Sequence, residues 1–181
     1  MRVSGGDLRS RELRVPRGRT IRPTPGRVKE ALFSILGDRV QGARVLDLFA
    51  GTGAIGFEAL SRGAAHATFV ESSRPTAERI RAAAVRLGVA DRTTVIAAAA
   101  ERACAALAGP FDIVYADPPY MAPPPAAAVA ALRSSGAIVG DTLVVYEHRA
   151  RAAGEVPGLV SRRTARYGEV ALEFMAVAAD A

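Results

Sequence analysis

The residues best equipped for chemistry stand at Asp117-Pro118-Pro119-Tyr120, where the apolar run Phe111 to Ala116 ends. A plain turn after a buried strand is served by Asp-Gly or Asn-Gly. Two prolines can neither continue a helix nor donate to a sheet, so they stiffen the chain at the strand's exit. One use for such a turn is to hold a planar exocyclic amine. The nitrogen lone pair of that amine is delocalised into its ring and is a poor nucleophile. Two acceptors on its N–H bonds draw it toward tetrahedral geometry and oppose the positive charge that grows during attack. The Asp117 carboxylate is one acceptor, the Pro118 backbone carbonyl is the second, and Tyr120 offers a flat face for stacking a base.

A second set of residues lies upstream. The run "RVLDLFA" leads into "GTGAIG", where Gly51, Gly53 and Gly56 satisfy G-x-G-x-x-G, and Glu71 follows 20 residues after Gly51. In form this is a dinucleotide fingerprint. Asp47 argues against that cofactor, because a carboxylate four residues before Gly51 would repel a pyrophosphate. Beside an ammonium and a sulfonium the same carboxylate is attractive. S-adenosylmethionine carries both and no phosphate, and its ribose hydroxyls suit Glu71. It needs no metal, since the sulfonium brings its own leaving group. The competing use of Asp47 is to cap a helix or loop, and that of the glycines is close packing of strand on helix.

The elements that must position these residues alternate. Strands are expected at "ARVLDLFA", "HATFVE", "TTVIAA", "FDIVYA" and "AIVGDTLVVYEHR", the last with a break at Gly140-Asp141. Helices are expected at "AIGFEALSRG", "RPTAERIRAAAVRLG", "AAERACAALAG" and "PPPAAAVAALRSSG". "LVSRRTARYGEVALEFMAVA" reads as two strands turning near Gly168, and Thr24-Pro25 opens an N-terminal helix that Gly37 ends. This predicts an α/β fold with a mostly parallel seven-stranded sheet, its last strand antiparallel, and helices on both faces. "RVSGG" and "ELRVP" are expected to pair as a basic N-terminal hairpin. Residues 1–23 then form an arm and 24–181 the main domain.

Charge divides unevenly. Residues 1–30 hold nine basic side chains against three acids, whereas residues 31–181 balance at 15 and 15. Such a concentration suits phosphate backbones, with Arg2, Arg9, Arg11, Arg14, Arg22 and Arg27 as candidate RNA contacts. There is no secretory signal or membrane-length apolar run, and the lone Cys104 permits no internal disulfide. A cytoplasmic monomer is expected. Tyr115 belongs in the core, Cys104 in a packed helix, and His66 and His148 have no ligand pattern around them.

Taken together, "GGDLRSRELRVP", "IRPTPGRVKEALFSIL", "LDLFAGTGAIGFEALSRGA" and "DPPY" resemble the RsmD family of small-subunit rRNA guanine-N2 methyltransferases. The resemblance implies a Rossmann-like S-adenosylmethionine-dependent fold and methylation of guanine 966 of 16S rRNA during assembly of the small ribosomal subunit. It places Asp47, Phe49, Gly51 and Gly53 at the methionine end of the cofactor and Glu71 at its ribose. Thr24 and Arg27 fall near the cofactor or substrate, and backbone groups around Ala100 near the adenine. Two positions depart from the family pattern, Gly26 and Ala99, where acids or asparagine are common. Rival readings are an amino methyltransferase on DNA adenine or protein glutamine, a dehydrogenase, and a non-catalytic rRNA-binding assembly factor.

Overall fold

The computed structural model describes residues 1–13, 26–119, 122–151 and 155–178. Its centre is one seven-stranded sheet of β1 (Arg44–Leu48), β2 (His66–Val70), β3 (Thr93–Ile96), β4 (Ile113–Ala116), β5 (Leu143–Arg149), β6 (Leu159–Tyr167) and β7 (Val170–Val177). The spatial order is β3-β2-β1-β4-β5-β7-β6. The first five strands are parallel, and β7 runs antiparallel between β5 and β6. The continuous apolar composition of β1, β4 and β5 has a direct cause. These strands are covered on both faces, so neither set of alternate side chains meets water.

One face carries α1 (Gly26–Leu36), α2 (Ala54–Ser61) and α3 (Arg74–Leu87). Val28, Leu32, Phe33 and Leu36 of α1 and Ile55 and Ala59 of α2 pack there on Val45, Tyr115 and Val145. Phe57 and Ile80 continue this layer around Phe69. The opposite face holds α4 (Ala100–Cys104) and α5 (Ala126–Ser134) over Leu46, Leu48, Val114 and Val144. Gly37 and Gly88 end α1 and α3 with φ of +52° and +72°, a region that costs glycine nothing.

Three expectations need correction. The helix read over residues 99–109 is the single turn of α4, after which the chain turns toward β4. The strand read over Ala137 to Arg149 begins at Leu143, because Val139 to Thr142 closes a turn across the expected break at Gly140-Asp141. The N-terminal hairpin reduces, over the described residues, to one antiparallel bridge between Arg2 and Glu12. Backbone donors between its two arms are used on α2. The N–H groups of Ser4 and Gly5 go to the Glu58 carboxylate, that of Asp7 to the Ser61 carbonyl and that of Leu8 to the Ser61 hydroxyl. The segment thus docks onto α2 as well as pairing with itself, where Val3 N–H donates to the Arg11 carbonyl and Leu13 N–H to the Met1 carbonyl, with Val3 and Leu13 buried. Arg14, Arg22, Thr24 and Pro25 lie outside the described residues.

Candidate active site

The strand order reverses between β1 and β4, and ligands in open α/β sheets collect at the carboxyl ends of strands flanking such a point. Asp47 on β1 is in register with Tyr115 on β4 and Phe69 on β2, so all three side chains face the α1 and α2 layer. Asp117 lies one residue past the pair Ala116 with Tyr146, which brings it beside Glu147 on β5. Asp47, Tyr115, Asp117 and Glu147 therefore gather at one mouth of the sheet.

The loop after β1 explains its composition. Phe49 is held at φ +66°, a left-handed conformation uncommon for a bulky residue, so the chain reverses tightly as it leaves the strand. Gly53, at φ +75°, precedes α2. A Cβ on Gly56 would stand 2.3 Å from the Phe69 ring, so this glycine serves strand–helix packing. Two of the loop's glycine donors are already engaged by carboxylates. Gly51 N–H donates to Glu71 Oε2 at 2.9 Å, and Gly56 N–H donates to Asp47 Oδ2 at 2.9 Å. Ser73 N–H donates to Glu71 Oε1 at 2.7 Å. A pyrophosphate would need such amides free and would meet two carboxylates in their place. Asp47 is thus a cap on the first turn of α2, as its alternative reading held, and its charge stays at the mouth.

The carboxyls repel one another. Burial pushes Asp47 up to about 7, with Glu71 adding to the rise and the Gly56 N–H opposing it. Asp117 is pushed up to about 8, first by burial, then by the charges of Glu147 and Asp47. Tyr115 donates its hydroxyl to Glu147, which is itself only 2% exposed. A site that crowds negative charge in this way fits a cationic ligand. The acceptors needed for an amine are also open. The Pro119 carbonyl accepts Ala122 N–H at 2.7 Å. Among the described residues, no hydrogen bond engages the Pro118 carbonyl or the Asp117 carboxyl. Tyr120 lies outside the described residues. Phe49 borders the α4 and α5 cluster that contains Ala100, which opens α4 and is 5% exposed.

Of the candidate RNA contacts, Arg2, Arg9, Arg11 and Arg27 are exposed. Lys29, counted with that basic arm, is 3% exposed and pairs with Glu58 at 2.6 Å, so it adds no surface charge. Reading the sequence alone missed Glu147 and Glu58. The signal was present in both cases: each is a lone acid inside an apolar run, "LVVYEHR" and "AIGFEALS". Cys104 is buried, His66 meets the Thr94 hydroxyl, and His148 Nε2 lies 3.4 Å from Glu173 Oε2.

The family model described as Conserved hypothetical protein 95 matches residues 1–176. The ribosomal RNA small subunit methyltransferase D of Escherichia coli strain K12 is 33% identical, over 92% of this chain and 91% of its own. The chain belongs to this family. It has the fold and class of a methyltransferase. The solved structure of E. coli yhhF, provisionally named a methyltransferase, superposes with a TM-score of 0.88 at 33% identity, covering 99% of each chain. An RNA methyltransferase of Salinibacter ruber, solved with S-adenosyl-L-homocysteine, shares the fold (TM-score 0.65, 18% identity, 88% of this chain and 95% of that one).

Proposed function

We propose that the protein transfers a methyl group from S-adenosylmethionine to the exocyclic N2 of one guanine of small-subunit rRNA, at position 966 in the usual numbering. The observation that carries the reading is the mouth between β1 and β4. There, among the described residues, no hydrogen bond engages the Asp117 carboxyl or the Pro118 carbonyl, which stand beside a crowd of acids. Family membership favours rRNA over DNA or protein as the acceptor.

The crowded acids Asp47, Asp117 and Glu147 suit a bound cation, and Glu71 keeps lone pairs for ribose hydroxyls while tied to Gly51 and Ser73. When bound, S-adenosylmethionine supplies an electrophilic methyl and a neutral thioether leaving group. Asp117 and the Pro118 carbonyl each accept one N–H of the target amine and aim its lone pair. As the new N–C bond forms the nitrogen becomes cationic, and one of its protons passes to Asp117 or to water. A carboxyl pushed up to about 8 is largely protonated in the empty site at neutral pH, so Asp117 takes this proton in its ionised form, which the positive charge of a bound cofactor favours. Tyr120 stacks on the base, which must leave its own stack to enter, and this is easier in a loop than in a duplex. Exposed Arg2, Arg9 and Arg11, with Arg14 and Arg22 beyond them, hold phosphates. Thr24 and Arg27 are the candidate contacts to cofactor or substrate that the family pattern implies. An assembling or assembled particle is the natural substrate, since a chain of 181 residues has little surface with which to select one base unaided.

The test is transfer of labelled methyl to small subunits that lack the modification, with mass mapping of the product. Label on a single guanine N2 is expected. Label on naked rRNA, DNA or protein but not on subunits would keep the chemistry and overturn the substrate. Cofactor binding with no acceptor would leave the assembly-factor reading.

A further inference from the structure

Charge counted over long stretches hides where it collects. Residues 31–181 balance, yet β6 holds Arg162, Arg163 and Arg166 and no acid. All three are exposed, and no ion pair or hydrogen bond among the described residues engages their guanidinium groups. β6 is the outer strand, paired only with β7. A register irregularity between Ser161 and Arg163 takes Arg162 out of step, so the arginines charge the rim of the sheet and not one face of it.

Strand direction sets where this rim leads. Tyr167 of β6 and Arg149 of β5 both pair with Val170, so the Arg166 end of β6 lies at the carboxyl ends of the parallel strands, with the candidate site. Arg27, exposed in the first turn of α1, lies against the next turn: a Cβ on Gly168 would be 3.8 Å from its guanidinium. Asp117, at the mouth of β4, is three strands from β6, about 14 Å at ordinary strand spacing. The N-terminal segment with Arg9 and Arg11 sits on the other side, packed by Val3 and Leu13 against α2, α3 and β2. Arginine on an edge strand also discourages pairing with another chain. That purpose does not account for a fourth arginine, from a different element, at the end nearest the site.

We propose that the β6 rim, Arg162, Arg163 and Arg166 together with Arg27, is a second phosphate-contact surface. The substrate RNA then straddles the Asp117 mouth, held by the N-terminal segment on one flank and by the β6–β7 hairpin on the other. The inference rests on the RNA reading above. Its partner is the sugar–phosphate backbone, which arginine forks grip in bidentate fashion without reading sequence.

The experiment measures binding of a full-length small-subunit rRNA transcript across a salt series. It compares wild type, the triple variant R162Q/R163Q/R166Q, the same triple to lysine, and R9Q/R11Q. The melting shift with S-adenosylhomocysteine checks folding of each. The glutamine triple is expected to bind at least tenfold more weakly near 100 mM salt and to flatten the log–log salt slope by about two, at roughly 0.7 per contact on single strands. The lysine triple should recover most of that slope, and R9Q/R11Q should lose its own share independently. Unchanged affinity and slope in the glutamine triple overturn the proposal, as does a change confined to self-association. If the triple does not fold, the single variant R166Q should still lose about 0.7 of slope. Salt-dependent RNA binding that is absent from wild type itself would instead sink the underlying reading.

Discussion

At the scale of single residues, Asp117 combines two demands that pull apart. It must be an anion to hold an amine, yet burial and the charges of Glu147 and Asp47 favour its neutral form up to about pH 8. Turnover per free enzyme should therefore rise with pH through the 7–8 region, measured as kcat/KM against pH. Glu147→Gln removes one of the two repelling charges while keeping an acceptor for the Tyr115 hydroxyl, so the same limb should move to lower pH. Asp117→Ala should lose at least about two orders of magnitude in turnover with cofactor affinity nearly intact. The stability effect has the opposite sense. A carboxyl with a raised folded pKa binds its proton more tightly in the native state than in the unfolded one. Nothing is lost below about pH 4, where both states are protonated, and stability falls as pH climbs toward the folded value. Asp117→Asn should accordingly raise Tm above pH 8 and leave it unchanged near pH 4. The motif itself was plain in the sequence, since an acid and two prolines after an apolar run have few other uses. Its electrostatic setting was not, because Glu147 becomes a neighbour only through the register of β4 with β5.

At the scale of elements, α2 is the part on which the others converge. The Glu58 carboxylate accepts Lys29 Nζ at 2.6 Å, Arg62 Nε at 2.9 Å, and the N–H groups of Ser4 and Gly5, each at 2.8 Å. Burial alone would raise this carboxyl, but Lys29, Ser4 and Arg62 outweigh it and hold it below the ordinary value. Lys29 also donates to the Arg2 carbonyl, so α1, α2 and the N-terminal segment share one buried knot. Gly6 closes it from outside, since a Cβ there would run into the Ser61 carbonyl. Lys29→Met should cost about 3 kcal/mol in a urea titration, because it strips a buried carboxylate of its main cation. Amide exchange of residues 3–8 should quicken in Glu58→Gln before the sheet is affected. Helix and strand periods revealed α1 and α2 as elements. They could not reveal this knot, in which Ser4 and Glu58 bond across 54 positions.

For the whole molecule, the alternation of apolar runs and glycine stops was enough to foresee a parallel sheet with a reversed last strand. Each strand is locally apolar and each helix ends in a recognisable way, so local chemistry and tertiary fold agree. The expectation fell short where tertiary partners enter: α4 stops after one turn, and the N-terminal hairpin is cut to one bridge while the N–H groups of Ser4 and Gly5 go to α2. The surface was the least legible part. Net charge by segment placed every excess cation in the first 30 residues. Folding buries Lys29 from that set and gathers three arginines of a formally neutral stretch on the outer strand.

One buried side chain supplies an internal clock for this architecture. Cys104, the single cysteine, is 0% exposed beneath α5, and burial pushes its thiol up to about 12. At neutral pH almost none of it is thiolate, so a thiol reagent reaches it only when the α4–α5 half of the core opens. The labelling rate under native conditions then reports the free energy of that opening without any introduced probe. Added S-adenosylhomocysteine should slow the labelling in proportion to its occupancy if its site and this half of the core open together. An exposed cysteine placed elsewhere on the surface could be labelled selectively, with the native one silent.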